Sequence, residues 1–241
     1  MMSEIPEQDR VELRPPPNMI NAQFGRQWGI VTPAVYRYEN SQWIDEFFET
    51  GKLRLSTFSK FATYPDEVRG DDQEGSGFCY GETSDGKSVI VTQRQGINAT
   101  VLCCSQRLSR RLADDFQRDA VFQITNTMEF AAEVARQLLG FKGGIEGACI
   151  YRTMKAIKRK IEFDIEKYRL PDGKLDEQLL RHVCHSLGGP ELVLLKRMRY
   201  QDQHEYRFMW EMDNVPADHI DVLIPGARKF CRKVKDEEWG E

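Results

Sequence analysis

The sequence lacks an uninterrupted apolar run long enough to cross a bilayer, so it predicts no membrane-spanning helix. Its first residues lack the basic start and apolar stretch of a secretory signal, which predicts a cytoplasmic protein with no membrane partner. Internal repeats, heptads and low-complexity tracts are also absent. A net charge of −4 gives no general attraction to nucleic acid, although it leaves room for a local basic patch.

Paired cysteine and histidine spacings of the kind that bind zinc are missing as well. Cys184 with His182 and His185 forms the one such cluster, and it has no second half, so no metal site is predicted. The six cysteines are scattered, mostly through apolar surroundings. This distribution is typical of reduced, buried thiols in a cytosolic protein.

What is present is an ordinary globular composition of 40% hydrophobic and 30% charged residues in a chain of 241, enough for a sizeable core. Residues 1–32 are polar and contain three consecutive prolines, which predicts an N-terminal arm. Residues 33–241 are predicted to form a single α+β domain. Its first unit is strand, helix and strand: 34–38, then 42–49 with Gly51 as the stop, then 52–57. Two later apolar segments, 88–93 and 99–105, are predicted to pair as a hairpin.

Charged and hydroxyl side chains occur on strands that should be buried. They are Arg37, then Ser56 and Thr57, then Gln203 and Glu205 on one face of a late strand whose residues alternate up to Trp210. A buried charge is costly unless it is paired. Either Arg37 and Glu205 pair with each other or with neighbours, or these groups converge on a ligand. Arg207 shares a face with Glu205 and is expected to keep that carboxylate ionised.

A polar loop, Arg69 to Gly75, lies shortly after the second strand. It has three explanations: Arg69 pairs with Glu74 to hold the loop, the loop closes over a cofactor, or its charged residues meet the acceptor. Two basic clusters, around Arg107–Arg111 and Lys155–Lys160, are likewise either solvated helix faces or contacts to a phosphate backbone.

Three short motifs in this order resemble the ADP-ribosyltransferase superfamily. They are Tyr36-Arg37-Tyr38, Ser56-Thr57-Phe58-Ser59 and Gln203-His204-Glu205. The stretches KLRLSTF, RGDDQEG and HEYRFMW also resemble bacterial proteins of unknown function that occur among mobile defence and toxin genes. Two features depart from the superfamily pattern: Phe58 interrupts the Ser-Thr-Ser motif, and Ser56 follows Arg37 closely.

The resemblance implies a split, mostly antiparallel sheet and NAD as substrate. Cleavage of the nicotinamide–ribose bond passes through an oxocarbenium-like state, which a carboxylate such as Glu205 stabilises. A planar guanidinium such as Arg37 suits dinucleotide phosphates. The resemblance gives Gln203 the role of addressing the acceptor. The remaining expected cofactor contacts are Tyr38 or Tyr64 for stacking, Ser56 and Thr57 for the ribose or for bracing Glu205, and Arg69 for closure.

The resemblance further implies a bacterial toxin or anti-phage effector that modifies a macromolecule, with RNA ahead of protein, and that has an antitoxin partner. Two other functions are compatible with the sequence. One is a non-catalytic module that binds a nucleotide or nucleic acid. The other is a metal-dependent nuclease that uses Asp71, Asp72 and Glu74.

Overall fold

The computed structural model describes residues 33–62, 75–82, 86–94, 96, 98–158, 164–180, 189–215 and 218–239. Their strands are β1 (Val35–Glu39), β2 (Lys52–Thr57), β3 (Ser76–Glu82), β4 (Ser88–Arg94), β5 (Ala99–Ser105), β6 (Ala120–Ile124), β7 (Phe141–Ala148), β8 (Ile150–Arg152), β9 (Ala156–Lys158), β10 (Leu195–Arg197), β11 (Glu205–Met212), β12 (His219–Leu223) and β13 (Cys231–Lys233). The predicted arm at 1–32 lies outside this range, so the division into an arm and a domain at 33–241 stays a prediction.

Short helices connect the strands. The α-helices are α1 (Ser41–Thr50), α2 (Phe58–Ala62), α3 (Arg110–Asp115) and α4 (Thr127–Gln137), and residues 177–180 are helical as well. 3-10 turns occur at Ile165–Tyr168, Pro190–Leu194, Met198–Gln203, Pro225–Phe230 and Asp236–Glu238. No helix in these residues has the length and apolar character needed to span a membrane.

The central sheet is antiparallel. Its strand order is β12-β2-β5-β1-β6-β13, and β11 pairs with both β5 and β7. Two small sheets stand apart from it, β4-β3-β9 and the parallel pair β10-β8. The chain is therefore a mixed helix and strand protein with an antiparallel core, which agrees with the predicted α+β class.

The central sheet forks at β5. Because β11 pairs with the whole length of β5 from Ala99 to Ser105, β1 and β2 must share the opposite edge. There β2 pairs at Thr100 and Val101, and β1 pairs at Ser105. The two strands diverge from the segment between these points, and α1 joins them.

The two faces of the central sheet differ in character. One face, called here the aromatic face, packs side chains from α1 and α4 against the sheet and is rich in rings, among them Phe47, Phe122, Phe130, Phe208 and Trp210. The other face, called the Glu205 face, has smaller apolar clusters around Phe58 and around Leu112, together with buried charges.

Helix α1 ends where the sequence predicts. Gly51 has φ of 85°, a left-handed conformation, and its N–H donates to Phe47 O at 2.8 Å. A Cβ at this position would lie 2.5 Å from Pro225 Cα, so both the backbone angle and the close approach require glycine.

The predicted hairpin between 88–93 and 99–105 is wrong. Strand β4 pairs with β3, whereas β5 lies in the central sheet between β11 and the fork. The burial of the two strands explains the difference: every residue of β5 except Cys103 is buried, whereas Ile90 of β4 is 69% exposed. A short turn between two apolar runs predicts local pairing, but long-range partners that bury both faces of β5 compete with it.

Candidate functional site

Glu205 is the centre of a buried group of charges at the start of β11. Its side chain is ion-paired with Arg207, Nε to Oε1 at 2.5 Å, and with Lys196 through Oε2. The residues Glu205, Arg207 and Lys196 are 5%, 1% and 8% exposed. Arg207 also donates to Val193 O at 2.7 Å, which fixes its guanidinium against the 3-10 turn before β10.

The charge state of Glu205 follows from these neighbours. Burial by itself would raise the pKa of Glu205, but the charges and hydrogen bonds of Arg207 and Lys196 outweigh that effect and hold the pKa well below its usual range. The carboxylate is therefore ionised throughout the physiological pH range, as expected for a partner of Arg207. Glu205 is also the only buried carboxylate among the residues that the structure describes.

Gln203 joins this group, although not as a strand residue. It ends the 3-10 turn Met198–Gln203, and His204 then adopts a left-handed conformation with φ of 45° before β11 begins. The prediction that Gln203 and Glu205 share a strand is therefore wrong. The turn nevertheless brings Gln203 Oε1 within 2.8 Å of Lys196 Nζ, so Gln203 and Glu205 share one cation.

Sequence reasoning missed three residues of this group. Lys196 Nζ lies 4.8 Å from the centre of the Tyr200 ring as well as against Glu205. Tyr151 accepts a hydrogen bond from Glu205 N at 2.7 Å, and Ser105 donates to Gln203 O at 2.8 Å. One signal was visible: Lys196 directly follows the apolar run Leu192–Leu195, and a lysine in such a run is buried only with a partner.

A row of polar residues crosses five strands on the Glu205 face. Arg232 pairs with Gln123, Gln123 with Tyr36, Tyr36 with Ser105, and Ser105 with Glu205. Arg232 Nε donates to Gln123 Oε1 at 2.6 Å, and Gln123 Nε2 donates to Tyr36 Oη at 3.3 Å. Because neighbouring strands lie about 4.8 Å apart, the backbones of Tyr36 and Glu205 are about 10 Å apart.

Arg37 lies on the opposite side of the sheet from Glu205. Side chains alternate along a strand, so the residue after Tyr36 points to the aromatic face. There Arg37 pairs across strands with Phe122. Its guanidinium donates to Glu39 Oε2 and to Cys103 O in the fork, both at 2.8 Å. Arg37 and Glu205 therefore each pair with neighbours, and the structure does not bring them together.

Tyr38 packs within the fold. Its ring packs edge-on against Phe116 and Trp239 beneath α3. Its hydroxyl donates to Arg107 O at 2.8 Å and accepts from Ser109 N at 2.9 Å. Burial raises the pKa of Tyr38 to about 12, so the hydroxyl stays protonated. The aromatic residue of β1 nearest Glu205 in the polar row is Tyr36.

Thr57 and Ser56 occupy different surroundings. Thr57 is buried, and its Oγ1 accepts from Lys60 N at 3.3 Å, as a capping residue does at the start of a helix such as α2. Ser56 is half-buried and lies beside Arg37 in a cleft at the fork.

Three of the predicted site elements, Tyr64, Arg69 and the acidic loop at 71–74, lie outside the described residues. Within those residues no group of three or more metal-ligating side chains occurs.

The cleft at the fork, called here the fork cleft, encloses about 200 Å³. Arg37, Arg54, Arg118 and Lys52 line it, together with the carboxylates of Glu39, Glu46 and Asp221, and with Asn40, Trp43 and Ser56. Glu39 pairs with two of these cations, Arg37 at 2.8 Å and Arg118 at 3.1 Å. The fork cleft is thus a charged depression, separate from the group around Glu205.

Of the two basic clusters, the first lies partly on a helix, as one of its two explanations expects, whereas the described part of the second does not. Arg110 and Arg111 are on α3 and form long ion pairs, Arg110 with Asp236 at 3.8 Å and Arg111 with Asp115 at 3.9 Å. Lys155 is buried, and Lys158 lies on strand β9 and not on a helix.

Comparison with known proteins found no similarity: the chain matches no family model, no curated protein and no solved structure.

Proposed function

We propose that this protein is an ADP-ribosyltransferase-like enzyme that cleaves the nicotinamide–ribose bond of NAD at Glu205 and transfers ADP-ribose to a macromolecule. The observation that carries the proposal is the buried carboxylate of Glu205, the one buried carboxylate in the described part of the chain, which two cations hold ionised. Positive charge develops on the ribose as its bond to nicotinamide breaks, and an ionised carboxylate in a water-poor site stabilises that charge.

The charge state of Glu205 also separates this reaction from ordinary glycoside hydrolysis. Hydrolysis of an oxygen glycoside requires a second carboxyl group with a raised pKa to protonate the leaving group. Nicotinamide is bonded through a cationic ring nitrogen and departs as a neutral base, so it needs no proton. Glu146 has a raised pKa, caused mainly by burial, but its cross-strand partner is Phe208 on the aromatic face.

The other residues of the Glu205 face have roles that fit this reaction. Tyr36 offers an aromatic ring two strands from Glu205. Gln203 shares Lys196 with Glu205, and we assign its amide the role of addressing the acceptor, as the resemblance implies. An acceptor group forms the new bond to the ribose carbon as the bond to nicotinamide breaks, nicotinamide leaves as a neutral base, and the acceptor's proton passes to solvent. RNA is the first acceptor class to test and protein the second, in keeping with a cytoplasmic toxin or defence effector controlled by an antitoxin.

The test is to incubate the purified protein with NAD and with total RNA or total protein, and to measure nicotinamide release and the mass of the acceptors. The wild type should release nicotinamide and add one ADP-ribose unit to one acceptor pool. Glu205→Gln should do neither. Glu146→Gln is the matched control, since it neutralises a partly buried carboxylate on the other face of the same sheet and should retain activity.

Glu205→Gln leaves two buried cations without their carboxylate, so it risks unfolding. The double variant Lys196→Gln with Glu205→Gln keeps the net charge of the group while it still lacks the carboxylate. We expect this variant to be folded and inactive. A folded double variant with wild-type nicotinamide release would falsify the proposal.

A non-catalytic nucleotide-binding module is the second candidate, and one observation favours it. Both oxygens of Glu205 already bond to cations, Oε1 to Arg207 and Oε2 to Lys196, as in an ion cluster that only supports the fold. This function predicts saturable binding of NAD by the wild type with no release of nicotinamide.

A further inference from the structure

We infer that the fork cleft is a second binding site, separate from the Glu205 centre, and that it takes the phosphate and base of a single nucleotide. The inference does not depend on Glu205 or on the proposed reaction. It rests on the shape of the cleft, on the pairing of its arginines and on one exposed aromatic ring.

The size of the fork cleft limits its ligand. Pockets for drug-sized molecules enclose about 300–1,000 Å³, whereas the fork cleft encloses about 200 Å³. One nucleotide unit with its base on the rim is compatible with this volume, but a whole dinucleotide is not.

The arginines supply the phosphate contact. Glu39 lies between two guanidinium groups, with Oε2 2.8 Å from Arg37 Nη2 and Oε1 3.1 Å from Arg118 Nε. A carboxylate between two forks of donors occupies the position that a phosphate takes in arginine-based recognition. Arg37 is also anchored by its bond to Cys103 O, so its guanidinium is positioned before any ligand arrives.

These ion pairs are reached by solvent. The side chains of Arg37, Glu39 and Arg118 are 22%, 21% and 25% exposed, so a phosphate can approach their donors from the cleft. A phosphate carries more charge and more acceptor oxygens than Glu39 does, so it competes for the same donors.

The base contact lies on the rim of the fork cleft. Trp43 of α1 is 44% exposed, and the guanidinium of Arg54 stands 5.9 Å from the centre of its ring. An exposed indole beside a guanidinium is a platform on which nucleobases stack. A flat aromatic surface next to a pair of arginines thus matches a nucleotide better than it matches a simple anion.

The test is calorimetric titration of the full chain with AMP, with adenosine and with a short single-stranded RNA that carries a 5′-phosphate. Wild type should bind AMP saturably and more tightly than adenosine. Arg118→Ala should weaken AMP binding about tenfold, the loss expected for one charge-assisted hydrogen bond. Trp43→Ala should weaken AMP and adenosine alike. Affinity for the RNA above that for AMP identifies a strand end as the source of the nucleotide, and equal affinity identifies a free nucleotide.

Glu39→Gln gives a result that a purely structural role does not predict. It removes the internal competitor and should tighten AMP binding several-fold, even if it lowers stability. Arg110→Ala is the matched control, because Arg110 also stacks on a tryptophan, 4.1 Å from the Trp239 ring, but does not line the fork cleft. It should leave the affinity for AMP unchanged. Equal or absent binding of AMP and adenosine by the wild type, or weaker AMP binding by Glu39→Gln, overturns the inference.

Discussion

The buried side chains on the two faces of strand β11 are stabilised in different ways. On the aromatic face, Phe208 and Trp210 stack with ring centres 5.9 Å apart, and Phe208 also meets Phe130 of α4. On the Glu205 face, Glu205 and Arg207 are as deeply buried as those rings, but they are held by charge. Apolar packing tolerates small changes of shape, whereas a buried ion group depends on every partner remaining in place.

The largest effect should come from removing the carboxylate on the Glu205 face. Glu205→Gln leaves Arg207 and Lys196 buried beside a neutral group, and breaking a buried ion pair in this way costs about 3–5 kcal/mol. Urea unfolding followed by circular dichroism measures the loss. The double variant with Lys196→Gln should be more stable than Glu205→Gln, and the opposite order would contradict the electrostatic explanation.

The loss of stability in Glu205→Gln should depend on pH. Folding lowers the pKa of Glu205, so its ion pairs stabilise the protein above the unfolded-state value of about 4.3 and lose that effect as the pH falls toward the lower folded-state value. The difference in unfolding free energy between wild type and Glu205→Gln should therefore be largest near neutral pH and should shrink in acid. A constant difference would show that packing, not charge, accounts for the loss.

A change on the aromatic face should be smaller and independent of pH. Ile124 of β6 is fully buried in the ring-rich cluster, and Ile124→Val removes one methylene group. Such a change typically costs about 0.5–1.5 kcal/mol. The same urea experiment at pH 7 and pH 4 should give equal losses, and a marked pH dependence would contradict the contrast between the faces.

The smallest effect should be the gain in stability that Glu146→Gln produces. Glu146 is a carboxylate of the aromatic face that bonds to the hydroxyl of Thr127 at 3.0 Å, and burial raises its pKa. A raised folded-state pKa means that stability falls as the pH rises from the unfolded-state value through the folded-state value, so Glu146 lowers stability at neutral pH. Glu146→Gln should therefore stabilise the protein slightly at pH 7, as measured by its melting temperature. A loss at pH 7 would show that Glu146 needs its charge.

Local features of the fold were predictable from the sequence. The stop of α1 at Gly51, the strand 52–57 and the alternation from Glu205 to Trp210 all follow from short-range rules of backbone conformation and hydrophobic period. The pairing of β4 was not predictable, because a turn signal between two apolar runs carries no information about more distant partners.

The residues of the candidate site were also predictable only in part. A charged residue on a buried strand signals that a partner exists, and this correctly indicated that Arg207 stands beside Glu205. It does not say which partner, so Lys196 and Tyr151 went unnoticed although both contact Glu205. The charge also does not indicate on which face of the sheet the side chain lies. Tyr36 and Arg37 are adjacent in the sequence, yet Tyr36 lies in the polar row with Glu205 and Arg37 lies on the aromatic face.

The sequence by itself determined the stop of α1 at Gly51, the strand 52–57 and the alternation of the late strand from Glu205 to Trp210, and it indicated that buried charges on these strands need partners. Only the tertiary structure decided that β1 and β2 fork from one edge of β5, that Glu205 and Arg37 lie on opposite faces, and that Glu39 stands between two arginines in the fork cleft. The physical reason is that backbone preferences and hydrophobic period act over a few residues, whereas strand register and ion pairing join residues far apart in the chain and are selected by how the whole core packs.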